Sequence, residues 1–223
     1  MTGVLTEKQA RREAYLRRVW RLAYLLTTDL FQARRLFAAV LIERPQFAEM
    51  DIDILTRLVI LRAREYETGL MRSPALQRAL KQVQEGEGGE GGRQTEGSGE
   101  AALTDLPVPL ALICAHALPR QAMETWLLKK VDGLGDIALS RATDCSRTAS
   151  ALHFDQAEKQ MHDMLGDELE PLTEQLKTTL LNLDAAPAIQ HWKRRTKRRR
   201  LLRLLVIVAF IVIGFIVARR VWG

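Results

Sequence analysis

The stretch LPRQAMETWLLKKVDGLGDIALSRATDCSRTASALHFDQAEKQM, residues 118–161, decides the fold. Leu118-Pro119 opens a helix, because proline lacks the amide hydrogen that a first helical turn leaves unbonded anyway, and the pattern continues to about Val131. Asp132-Gly133 stops it. A short helix follows from about Gly135 to Ala142, and Thr143 to Cys145 make a tight turn. The hydroxyl of Ser146 then caps a helix running to about Leu165. A short helix, a tight turn and a longer second helix describe a helix-turn-helix, which pattern alone leaves as one all-helical arrangement among several.

Upstream, Pro107 and Pro109 precede an apolar helix through Ala117. Between Gln84 and Ala101 lie seven glycines and five glutamates with no apolar residue, the composition of a flexible, self-repelling linker, assigned to 83–102. It separates an N-terminal unit, 5–82, from a second unit, 103–166. In the first unit Val19, Leu22, Ala23 and Leu26 follow the helical period after Tyr15, with Trp20 beside them. Thr28 or Asp29 caps a second segment in which Leu36, Phe37, Val40 and Leu41 face inward, and Pro45 ends it. Asp51 caps a third helix carrying Leu55, Leu58, Val59 and Arg62, and Ser73-Pro74 opens a shorter fourth. No strand-period run competes. The expected fold class is all-α: two small helical domains, the second a helix-turn-helix, plus one C-terminal helix.

That last helix carries the charge anomaly. The 223 residues hold 33 Lys plus Arg against 27 Asp plus Glu. Ten of the basic residues and none of the acidic ones lie from Lys193 onward, so residues 1–192 carry 33 − 10 = 23 basic against 27 acidic, a net of −4. The high pI therefore reports the tail, and a nucleic-acid argument from the whole-chain charge fails. Leu204 to Ala218 is an unbroken apolar run of 15 residues, extended to 201–218 if Arg203 snorkels. At about 1.5 Å per residue the longer stretch reaches about 27 Å, close to the hydrocarbon thickness of a bilayer. It is expected to span the membrane once.

Lys193, Arg194, Arg195, Lys197, Arg198, Arg199 and Arg200, in the basic juxtamembrane segment 193–203, precede the run, and only Arg219 and Arg220 follow it. The positive-inside rule then puts the N-terminal body in the cytoplasm of a single-pass inner-membrane protein, with those seven cations at anionic lipid headgroups. No N-terminal apolar signal segment is found, since residues 1–30 carry Arg and Glu where one would lie. In 167–192, Leu169, Leu176 and Leu183 recur every seven residues with Leu172 and Leu180 alongside. This segment is expected to be a stalk that forms a weak homodimer through the 169–183 leucines, or a helix that packs back on the second unit.

The residues resemble bacterial sigma factors of the extracytoplasmic-function type. Leu118-Pro119 and Gly133-Leu134 match that family's opening and helix stop. Without gaps, Leu139-Ser140, Asp144-Cys145-Ser146, Ala157 and Met161 then fall on its turn and closing positions. Arg18 to Thr27 resembles its first helix, with Thr28-Asp29 at the following turn. The resemblance covers about residues 12–165. It implies a membrane-tethered regulator of transcription initiation, with RNA polymerase core and promoter DNA as partners. It also implies DNA contacts from Ser146, Arg147, Thr148, Ser150, Ala151 and His153.

Departures fall on functional positions. The family's acidic polymerase-binding helix is here Ala33-Arg34-Arg35-Leu36-Phe37-Ala38-Ala39-Val40, and three basic recognition positions are Ala151, His153 and Gln156. Phe47 is the one aromatic between Arg44 and Asp51, where strand separation would want several stacking surfaces. These departures favour an alternative, a degenerate sigma-like membrane scaffold that binds a protein partner and no longer recognises DNA.

Other chemistry is thin. Cys114 and Cys145 lack C-x-x-C spacing, and His116, His153, His162 and His191 show no ligand spacing, so no metal and no cofactor are expected. Neither a phosphate-binding glycine loop nor a nucleophile elbow occurs, and the chain is not expected to be an enzyme.

Overall fold

The computed structural model describes residues 2–69 and 108–222. The Gly/Glu linker and the helix expected from Ser73-Pro74 lie outside the described residues. Within them every regular element is a helix.

Helix α1 spans Thr2–Thr27 and α2 spans Leu30–Glu43. Between them Thr28 takes a left-handed φ of 54°, and the Asp29 carboxylate accepts the Gln32 amide at 2.7 Å. Asp29, rather than Thr28, is the cap. Trp20 and Phe37 meet edge to face at 5.9 Å, so both are core residues. A single 3₁₀ turn, Phe47–Glu49, leads to α3, Ile52–Gly69, which buries Leu55, Val59, Ile60 and Ala63.

Helix α4, Leu110–Ala117, precedes α5, Arg120–Trp126, whose last turn widens into a π-helical stretch over Leu127–Val131. Gly133 ends it at φ +75°, where a side chain would strain the backbone. Next come α6, Asp136–Thr143, and α7, Arg147–Leu165. A 3₁₀ turn joins α7 to α8, Leu169–Leu181, and α9 runs unbroken from Ala186 to Trp222.

The buried apolar residues of all these helices form one continuous cluster, from Tyr15 through Trp126 to Trp192. Helix α3 lies along α6, so the two sequence-defined units share a wall. Polar contacts fasten that wall. Arg18 pairs with Asp132, and Arg64 reaches Glu124, whose carboxylate also accepts from Arg120 Nε at 3.0 Å. Arg57 meets Asp144 at 2.9 Å, Arg141 meets Asp53 at 3.2 Å, and the buried His116 Nε2 lies 2.8 Å from the Leu25 carbonyl oxygen.

Two expectations for 167–192 need correction. The heptad leucines do not form a free seam for a second copy: Leu169, Leu176 and Leu180 are buried, Thr173 with them, and α8 packs on α4 and α7. Packing back was the open alternative, and burial of a helix's apolar stripe against its own core is its physical reason. The segment is also not a stalk standing off the body. Its helix ends at Leu181, and the start of α9 returns to α2 with Ala185, Ala188 and Trp192 buried.

Burial of Leu176 sets a testable consequence. Leu176→Ala should lower the unfolding free energy by about 2–5 kcal/mol, because it empties a packed core position. A urea titration of the variant checks this, and an unchanged midpoint would mean that α8 is a solvated stalk.

Candidate functional site

The helix-turn-helix is built from α6 and α7. Asp144 takes the left-handed conformation at φ 61°, ψ 37°, and the Cys145 amide donates to the Ser140 carbonyl at 3.1 Å. The Ser146 hydroxyl accepts the Ala149 amide at 3.1 Å and starts α7. Leu139 and Ala142 of α6 and Ala157 and Met161 of α7 are buried, and the two helices pack on one another.

The six residues expected at DNA divide. Ser146, Arg147, Thr148 and Ala151 are exposed and His153 is half-buried. Ser150 is only 2% exposed, and its hydroxyl lies 3.4 Å from that of Thr143. It ties α7 to the end of α6, so the hydroxyl faces the core and not the solvent side on which a DNA contact was expected. The signal was present in the spacing: Ser150, Ala157 and Met161 stand at i, i+7 and i+11, the inward stripe of a helix.

The outer face of α7 is poorly equipped for phosphates. Its exposed ionisable groups include Arg147 and Lys159 against Asp155 and Asp163, which balance, and Leu152 stands 55% exposed among them. Neighbouring cations are occupied elsewhere. Lys130 donates to Glu158 at 2.8 Å and also to Glu170, while the Lys129 ammonium sits 4.5 Å from the centre of the Phe154 ring. Glu158 also accepts the Trp126 indole N–H at 2.7 Å. At the turn, Arg57 and Arg141 are held by Asp144 and Asp53. Burial alone would raise the Asp53 carboxyl, but Arg141 and the Ile54 amide outweigh it and hold the group below its ordinary value.

The loop between α2 and α3 offers no free aromatic surface. Phe47 is fully buried, edge-on to Trp192 of α9 at 6.2 Å, and the Arg12 guanidinium lies 5.8 Å from the centre of each ring. Helix α9 also packs against α2, the helix that the sigma resemblance would assign to polymerase binding. Beside this dock lies an open groove of about 1,070 Å³, between α1, the Pro45–Glu49 loop and the start of α9. The dock was missed in the sequence, where Trp192 reads only as the last residue before a basic cluster.

Of the seven cations expected at lipid headgroups, Lys193, Arg194, Lys197, Arg198 and Arg199 are exposed and Arg195 is half-buried. The Arg200 side chain lies outside the described residues. Among the described residues no helix is long and apolar enough to cross a membrane. Within the apolar run, side chains are described only at Leu204, Leu205, Val206 and Val208, all of them exposed.

Protein-family models, curated proteins and solved structures all fail to match this chain.

The joint between the units contains the most perturbed carboxyl among the described residues. Burial raises Asp132 to about 6, against the pull of Arg18 and Arg21, and burial likewise lowers Arg18. Both partners shift toward their neutral forms, so desolvation outweighs their mutual attraction. A raised carboxyl pKa means that the folded chain keeps this proton where the unfolded chain has released it. The stabilisation is complete below about pH 4 and is lost as the pH rises through 6. From pH 4 to pH 7 the stability gap between the wild type and Asp132→Asn should therefore move by about 2 kcal/mol in favour of the variant. Urea titrations at the two pH values measure it, and a gap independent of pH would show that Asp132 titrates normally.

Proposed function

We propose that this chain is a diverged sigma-like protein of the extracytoplasmic-function kind, anchored in the cytoplasmic membrane, that serves as a protein-binding scaffold and no longer reads promoter DNA. The observation that carries the reading is the solvent face of α7. Its exposed cations are offset by carboxylates, and one of its implied contact residues, Ser150, is turned into the core. DNA affinity depends on unpaired Lys and Arg releasing phosphate counterions, and base reading depends on bidentate side chains, so this face has little to offer either process.

Anchoring rests on the sequence of α9. The 15-residue apolar run with an excess of cations on its N-terminal side is what a single span with a cytoplasmic body requires. Because α9 is continuous, the 12 helical steps from Trp192 to Leu204 form a rigid spacer of about 18 Å, not a flexible tether. Lys193, Arg194, Arg195, Lys197, Arg198 and Arg199 then ring that spacer, where each contributes up to about 1 kcal/mol on anionic lipid.

A second reading, a tethered regulator of transcription initiation that binds promoter DNA and RNA polymerase core, is favoured by one feature. The helix-turn-helix keeps its left-handed turn residue at Asp144 and its Ser146 cap.

The two readings separate in one titration. In full-length protein in zwitterionic nanodiscs the exposed cations after Trp192 are free to hold DNA phosphates at about 50 mM salt, so any retention should be the same for the wild type and Arg147→Ala. Retention that falls steeply with log salt and weakens on Arg147→Ala would establish the regulator instead. So would reproducible co-purification of core polymerase subunits from solubilised membranes.

A further inference from the structure

The start of α9 occupies a seat made by other parts of the chain. Ala185, Ala188 and Trp192 form one buried stripe at i, i+3 and i+7, laid against α2 and capped by Phe47 and Arg12. Small residues let the helix approach closely, and the indole fills the end of the seat. The occupant is imperfectly satisfied. The Trp192 indole N–H and, one turn further on, the Thr196 hydroxyl are buried without a hydrogen-bond partner. Both regain water when the helix lifts, which favours release relative to a fully bonded dock.

Two further features suit an exchange. Asn182 to Ala185 between α8 and α9 are non-helical and provide a place to pivot. The groove beside the seat is lined by Leu16, Leu181, Ile189 and Trp192, with Leu181 71% exposed, so an incoming helix has an apolar foothold before α9 has left.

We propose that this seat is a helix-binding site held closed by the chain's own α9. The partner that fits is an amphipathic helix carrying small residues at i and i+3 and an aromatic at i+7, followed by basic residues. The site locates the scaffold's protein partner and rests on that reading only for the partner's being a protein. Exchange would also expose α2 and Phe47 while freeing the spacer from the body, so that occupancy of the seat and the posture of the body above the membrane become linked.

The probe is a fluorescent peptide of residues 185–200, added to full-length protein in detergent and followed by anisotropy. In the wild type the tethered helix competes at high effective concentration, and the peptide should bind weakly. In Trp192→Ala the cis occupant is weakened, and the peptide should bind at least about 100-fold more tightly. A peptide carrying the same Trp192→Ala change keeps every charge and should not bind, which separates the seat from general attraction to an acidic body. Thr196→Val replaces an unpartnered hydroxyl by a methyl of similar shape, and should strengthen the cis dock and reduce peptide binding below wild type. Equal peptide affinity for the wild type and a Trp192→Ala chain with an unchanged circular dichroism spectrum would overturn the site. So would tighter peptide binding to Thr196→Val. The DNA titration judges the scaffold reading independently, because neither peptide nor variant touches α7.

Discussion

Helix α1 is buried on more than one side, and the rest of the body is arranged around that constraint. From Tyr15 to Leu26 its buried residues include Leu16, Val19, Trp20 and the consecutive run Leu22 to Leu26. A helix on the surface of a three-helix unit needs only an apolar stripe. Five consecutive buried residues cover the full circumference of the helix, so α1 must have neighbours all round. Helices α2 and α3 cover one side, while His116 of α4 reaches the Leu25 carbonyl and Asp132 meets Arg18 on another. The deep burial of Tyr24, which raises its phenol above the ordinary value, belongs to the same enclosure.

Polar groups decide how the two halves meet around that helix. Hydrophobic burial is non-directional and would accept many relative rotations of the units. Arg64 and Arg120 converge on Glu124, whose side chain is only 1% exposed, and Arg57 and Arg141 hold the turn and first helix of the helix-turn-helix. Breaking a buried pair leaves an uncompensated charge at a cost of about 3–5 kcal/mol, whereas an intact pair adds little net stability. These pairs therefore act chiefly as selectors of one arrangement, in which the helix-turn-helix faces α3 on one side and presents a charge-balanced α7 on the other.

Helix α9 belongs to the same arrangement. By docking Trp192 against Phe47 and Arg12, α9 ties the chain's most basic segment to the first unit. A rigid helix that begins inside the body and ends in an apolar run transmits orientation along its length, as a flexible linker cannot. The surfaces that the family resemblance would give to polymerase and to unpaired bases are those that α9 covers. The proposed scaffold with an exchangeable cover rests on this coverage.

The amino-acid sequence by itself determined the helical class, the cap at Ser146 and one at Thr28 or Asp29, the stops at Pro45 and Gly133, and the inward residues of α1 to α3. These depend on local physics: backbone propensity, side-chain bonds to nearby amides and the 3.6-residue period. The balanced charge of α7 was legible in the same way, because it is a matter of composition on one face. Only the tertiary structure decided that Ser150 meets Thr143 instead of facing solvent, that Leu169, Leu176 and Leu180 are spent on the chain's own core, and that Phe47 is covered by Trp192. Each joins residues through space, and Phe47 and Trp192 stand too far apart in the chain for local pattern to reveal whether a given apolar or polar side chain meets water or a partner. The same holds for the ion pairs of the joint: each charge is visible in the sequence, but its partner is chosen by the packing of helices whose order along the chain does not reveal their neighbours.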